Sequence, residues 1–230
     1  YAAGQSHPIY ARTPREGGAE EILLDVNPLA AGKAFYRVGQ ADHSPDHKLF
    51  AYAADDQGSE VYTIYIKDLA TGDVLPSPVE DAHGGFAFSP DSACLFWVWR
   101  EQNGRPAKIF RRPVRGAAAD DVLVYEEKDI GKFLGVGVSE SGAYIMIFVG
   151  DQETSEVHTI PASAPTSAPK LFAERKVGEL YSPTHFDGKW YILTNADGAV
   201  DFKIVTAPLD NTGRAAWKDF APHQPGRYIQ

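Results

Sequence analysis

Apolar and polar positions along the chain recur in blocks. Four continuous apolar runs, LFAYAA (49–54), LFWVW (95–99), YIMIFV (144–149) and WYILT (190–194), have the length and composition of buried strands. Short segments rich in small residues precede three of them: GGFAFS (84–89), FLGVGVS (133–139) and ELYSPTHF (179–186). Between segment and run sits turn chemistry, SPDH, SPDS, SESG and HFDG, in which proline presets φ in the first two and Ser, Asp or Gly satisfies or tolerates the turn backbone. Each pair is therefore a hairpin. A third strand follows in every block: EVYTIYIKDL (60–69), AKIFRRPV (107–114), EVHTIPA (156–162) and FKIVTAPL (202–209). In the first of these Val61, Thr63 and Tyr65 alternate with Tyr62, Ile64 and Ile66, the period of a strand. A weaker fourth strand is expected at GDVLP (72–76), DDVLVYEE (120–127), PKLFAE (169–174) and AWKDF (216–220).

With Ser44, Ser89, Ser139 and His185 as anchors, the blocks step by 45, 50 and 46 residues. Four antiparallel strands at that period specify the blade of a β-propeller. The blades are expected at about 36–76, 83–127, 133–174 and 180–220, after a half blade at 7–26 made of HPIYART and EEILLDV. The fold class is all-β: about four and a half four-stranded blades, a fragment of a larger propeller within a longer polypeptide. A β-sandwich also uses many short strands, but recurrence of the whole strand set argues against it.

Composition narrows the function. The 230 residues are 43% hydrophobic, enough for a sizeable core. The formal net charge of −9 excludes the basic surface that nucleic-acid binding needs. No apolar run reaches the roughly 20 residues of a membrane helix, and no signal-peptide core opens the chain. Cys94, the single cysteine, permits no intrachain disulfide and fits a reducing, cytoplasmic setting as a small core residue.

The segment RPAKIFRRPVRGAAADDVLVYEEKDIGKFLGVGVSESGAYIMI (105–147) resembles the N-terminal propeller of the prolyl oligopeptidase family of serine peptidases. ILLDVNPLAAGKAFYRVGQADHSPDHKLFAYAAD (22–55) and SEVYTIYIKDLATGDVLP (59–76) are similar to its oligopeptidase B (protease II) branch, and the likeness spans residues 8–230. The resemblance implies a seven-bladed propeller capping an α/β-hydrolase domain, admitting short peptides and restricting folded proteins. It implies cleavage after Arg or Lys, and a catalytic Ser, Asp and His in the hydrolase domain, which is absent from this chain. Partners would be short peptides and that C-terminal domain. A propeller that scaffolds protein complexes is the competing reading, and chemistry in the propeller's own channel a third.

No catalytic residue is assigned. A nucleophile elbow needs G-x-S-x-G, and GVSESG (137–142) places its second glycine one residue late, so Ser139 reads as a hairpin residue. No cofactor or metal is expected. His43, His83 and His185 fall near equivalent blade positions and read as structural, and Pro45 denies His43 and His47 a shared helical face. The acidic pairs Asp55-Asp56, Asp120-Asp121 and Glu126-Glu127 read as solvated turns and strand edges, because adjacent strand residues point to opposite faces. Trp97 and Trp99 share one face of a strand and are expected to pack between blades. With Arg100 and Arg105 they are the candidates for contact with substrate or the hydrolase domain. Exposed blade faces are expected to drive self-association of the chain alone.

Overall fold

A computed structural model of the chain describes residues 3–229. It opens with a two-stranded ribbon, β1 (Ile9–Arg12) against β2 (Glu21–Asp25), and one helical turn, α1 (Val26–Ala30). The Asp25 carboxylate caps that turn by accepting the Asn27 N–H at 2.9 Å.

Four blades of antiparallel β-propeller follow. The first has β3 (Arg37–His43), β4 (Leu49–Asp55) and β5 (Tyr62–Asp68); the second has β6 (Val79–Phe88), β7 (Cys94–Arg100), β8 (Pro106–Pro113) and β9 (Val122–Glu126). The third has β10 (Phe133–Val138), β11 (Tyr144–Gly150), β12 (Ser155–Pro161) and β13 (Lys170–Ala173), and the fourth has β14 (Tyr181–Phe186), β15 (Lys189–Thr194), β16 (Lys203–Pro208) and β17 (Lys218–Ala221). Within each blade, strands adjacent in sequence are adjacent in the sheet.

The first blade departs from the expected pattern. GDVLP (72–76) forms only an isolated Lys67–Val74 bridge, and the edge of β5 is instead paired by the start of β6, Val79 opposite Ile64 and Ala82 opposite Tyr62. Later residues of β6 pair with β7, so the first two blades share one seven-stranded sheet. Pro76 and Pro78 explain the slip, since neither can donate to a ladder.

The core lies between blades, because each blade's second strand sends alternate side chains to its two neighbours. From β4, Phe50, Tyr52 and Ala54 pack with Leu23, Leu24 and Val26, while Leu49, Ala51 and Ala53 meet Phe86, Phe88, Leu95 and Trp97. From β7, Cys94, Phe96 and Val98 face Leu134, Ile145 and Ile147. Met146, on the opposite side of β11, joins Trp190 and Ile192 of β15. β4 is buried throughout and β7 over most of its length, as their apolar runs predict; β15 instead alternates, with Trp190, Ile192 and Thr194 buried.

The hairpin turns share one mechanism. In the first blade the buried Ser44 hydroxyl donates to Asp46 Oδ1 at 2.6 Å and accepts the Leu49 N–H at 2.9 Å. In the second, Ser89 does the same with Asp91 at 2.5 Å and Cys94 at 2.9 Å. In the third, Ser139 meets Ser141 Oγ at 3.0 Å and accepts the Tyr144 N–H at 3.1 Å. The fourth position of all three turns is left-handed, at His47, Ser92 and Gly142. His185 is not the fourth anchor: it lies inside β14, and the turn is Asp187-Gly188, both at positive φ as a two-residue hairpin demands. His83, on β6 ahead of Gly84, also falls outside the series.

Candidate functional site

The two ends of the blades are built differently. One end carries the tight turns. The other carries the loops 101–105 and 151–154 and the blade-to-blade connectors 127–132 and 174–180, where charge concentrates.

Arg105 opens this second end. Its side chain is 7% exposed; the guanidinium pairs with Glu101 at 2.7 Å and donates to the carbonyls of Glu127, Asp129 and Lys132 at 3.1 to 3.3 Å. That salt-linked hydrogen bond holds the Glu101 carboxyl below its ordinary range. Lys132 in turn pairs with Asp151, pulling that carboxyl down to about 2. A connector with no regular structure is thus fixed through its carbonyls by one cation.

Arg100 and Trp99 lie beside it on β7. With Val61, Asp81, Glu101 and Gln102 they line an open groove of about 400 Å³. Arg100 Nη1 reaches the Ser59 carbonyl at 3.3 Å, and the Lys108 ammonium sits 5.0 Å from the centre of the Trp99 ring. Trp97, two residues earlier on the same face, is buried: its ring stacks on Phe110 at 5.0 Å and its Nε1–H donates to Asp121 at 3.3 Å. Of the four residues marked in the sequence, Trp99 and Arg100 therefore reach the groove, Arg105 holds its Glu101 wall, and Trp97 packs in the core between the first two blades.

The acidic pairs require a correction. One member of each is tied into the structure: Asp55 is buried and accepts the N–H groups of Gln57, Gly58 and Glu60, Asp121 forms a two-point pair with Arg112, and Glu127 is buried against Arg175. Each inward carboxylate sits at the end of an element, where Asp55 closes β4, Asp121 precedes β9 and Glu127 follows it, so loop N–H groups and arginines meet it there. Arg112 was not marked by sequence reasoning, yet its guanidinium also holds the Ser77 and Pro78 carbonyls. The doublet Arg111-Arg112, directly after Ile109 and Phe110 in the strand, was the available signal.

One serine–histidine pair forms across a seam, Ser141 Oγ to His185 Nδ1 at 2.8 Å. It lacks the rest of a nucleophilic site. His185 Nε2 is buried without a hydrogen-bond partner, so no carboxylate orients the ring, and Ser141 sits on a solvent-facing turn rather than a strand-to-helix elbow. Cys94 is buried, and its burial pushes the thiol up, away from the thiolate. Among the described residues, no three His, Cys, Asp or Glu side chains gather as metal ligands would, and no helix is long and apolar enough to cross a membrane.

Comparison with known proteins bears on the whole chain. A family model described as the prolyl oligopeptidase N-terminal β-propeller domain matches residues 1–230. Dipeptidyl aminopeptidase BI of Pseudoxanthomonas mexicana is 36% identical over 100% of this chain and 34% of its own length; Protease 2 of Moraxella lacunata is 31% identical over 98% and 34%. The chain spans about a third of these relatives. Oligopeptidase B from Leishmania major superposes with a TM-score of 0.88 at 28% identity over 94% of this chain and 31% of that one. Oligopeptidase B from Trypanosoma brucei, in a closed form with covalently bound antipain, gives 0.87 at 28% identity over 99% and 32%.

Proposed function

Since this chain belongs to the prolyl oligopeptidase family, as its N-terminal β-propeller domain, we propose that it is the substrate-gating part of a serine oligopeptidase of the oligopeptidase B kind. The observation that carries the reading is the match of the family's propeller over the entire chain, in a sequence with no nucleophile elbow. The chain by itself is inert. In the intact protein it covers an α/β-hydrolase domain and restricts access by size, leaving short peptides to be cut after Arg or Lys. Trp99 and Arg100, lining the groove, are the contacts with peptide or hydrolase domain, with Arg105 fixing Glu101 beside them and Trp97 packed in the core behind. The test is to compare the intact protein's rates on short Arg- or Lys-containing peptides with those on a folded protein bearing the same bonds. Equal rates would remove the gate, and hydrolysis by residues 1–230 alone would remove the assignment of chemistry to another domain.

The 36% identity with a protein named dipeptidyl aminopeptidase favours a second reading, release of dipeptides from a free N-terminus. Peptides with a blocked α-amino group separate the two, since an endopeptidase still cuts them.

Expressed alone, the chain is also proposed to self-associate. Phe186 and Phe220 on the fourth blade are 66% and 61% exposed, and Phe220 stands edge-on to Tyr191 at 5.2 Å. A concentration-independent monomer in light scattering would contradict this.

A further inference from the structure

The third blade holds a charge cluster that the gating role does not use. Arg175, on the connector after β13, reaches back to two carboxylates on different blades: Glu127 at 2.5 Å, just after β9, and Glu156 at 2.9 Å, on β12. A second contact, Arg175 Nε to Glu156 Oε2 at 3.1 Å, makes the Glu156 pair two-pointed. From the second blade, Tyr125 donates its hydroxyl to Glu127 Oε2 at 3.3 Å, the Asp129 N–H donates to Oε1 at 2.8 Å, and Arg105 donates to the Glu127 main-chain carbonyl at 3.3 Å. From the third, His158 Nε2 meets Glu156 Oε1 at 3.0 Å, with its ring 4.5 Å from that of Tyr125. From the fourth, Tyr181 closes the cluster, its hydroxyl donating to the Ala173 carbonyl and accepting the Val157 N–H, with Arg214 over its ring.

The two sides of this seam are held by different forces. The apolar contacts of Phe96, Val98, Ile145 and Ile147 carry no charge and do not respond to pH. Arg105 and the Lys132–Asp151 pair already hold 127–132, whereas 174–180 has no such core and is tied at Arg175 by the two carboxylates. Protonation changes both their charge and their hydrogen bonding. A protonated Glu156 no longer attracts Arg175, and its new O–H faces a guanidinium that has only donors.

We propose that Glu127, Arg175 and Glu156 form an acid-sensitive latch that ties the connector at 174–180 to the second and third blades at neutral pH and frees it on acidification, while the blades stay packed. The sign follows from Glu156. Burial alone would raise its carboxyl, but the hydrogen bonds from Arg175 and His158 outweigh it and hold the group below its ordinary range. A depressed carboxylate stabilises the latch above the ordinary glutamate range and loses that stabilisation as pH falls below it, through the group's own lower range.

Amide hydrogen exchange in the intact protein, corrected for intrinsic rates, tests this at about pH 7 and about pH 3. Protection at 174–180 is expected to fall severalfold at the lower pH, while 127–132, held by Arg105, and 145–149 in β11 keep theirs. Arg175→Met is expected to show the open connector already at neutral pH and to lose the pH response. If that variant does not fold, Glu156→Gln, which keeps shape and removes charge, is read the same way. The latch is overturned if wild-type 174–180 exchanges alike at both pH values, if 145–149 opens in parallel, or if the folded variant keeps the wild-type profile.

Discussion

Gln40 holds both backbone groups of Phe86 on the neighbouring blade: its amide donates to the Phe86 carbonyl at 2.8 Å and accepts the Phe86 N–H at 3.2 Å. One side chain therefore substitutes for a rung of sheet between two inner strands that never pair. Gln40→Leu removes both bonds and leaves two partly buried backbone groups unsatisfied, a loss of about 1–3 kcal/mol. Urea denaturation of wild type and variant measures it, and an unchanged midpoint would show that water replaces the amide.

The serine turns should rank by burial. Ser89 is fully buried and satisfies Cys94 N–H, whereas Ser139 is partly exposed and paired with a second serine instead of an aspartate. Ser89→Ala is expected to cost about 1–3 kcal/mol, and Ser139→Ala distinctly less, because water reaches that turn. Thermal denaturation of both variants decides, and equal losses would refute the ranking.

Trp97 and Trp99 should separate stability from substrate handling. Trp97→Ala empties a space between Phe110 and the core of the first seam, a loss of about 3–5 kcal/mol. Trp99→Ala, at the groove, is expected to cost less and to change KM for short peptides in the intact protein. A Trp99 variant with wild-type kinetics would withdraw the groove from substrate or domain contact.

Cys94 should be silent toward thiol reagents. It is 9% exposed and burial raises its pKa, so at neutral pH the nucleophilic thiolate is scarce and shielded. Labelling with a maleimide is expected only in denaturant; fast labelling of the native protein would mean that the second seam opens.

Glycine in the inner strands also has a reason that composition does not show. Gly84 adopts φ +107, and a Cβ there would lie 2.9 Å from the Tyr62 ring, which fills the space between the first two inner strands. Gly84→Ala is expected to destabilise by about 1 kcal/mol or more through both strain and clash, read in the same denaturation assay.

What the chain's own order fixed was local. The Ser44 and Ser89 turns close over five residues, and the alternation of Tyr62, Ile64 and Ile66 needs only the strand's own pleat, so hairpins, blade period and buried strands were legible in the sequence. Even here a local rule failed where prolines intervened, at residues 72–76. Tertiary structure decided which polar groups matter. Gln40 and Phe86 are 46 residues apart and Arg175 and Glu127 are 48, and nothing near either member of these pairs in sequence marks its partner. Arg105 could be marked as a candidate but not as buried, and Asp55 and Glu127 read as solvated until their inward turn was seen. The difference is physical: turn chemistry and strand period act between neighbours in the chain, whereas the worth of a charge depends on the burial and partners it acquires when blades meet.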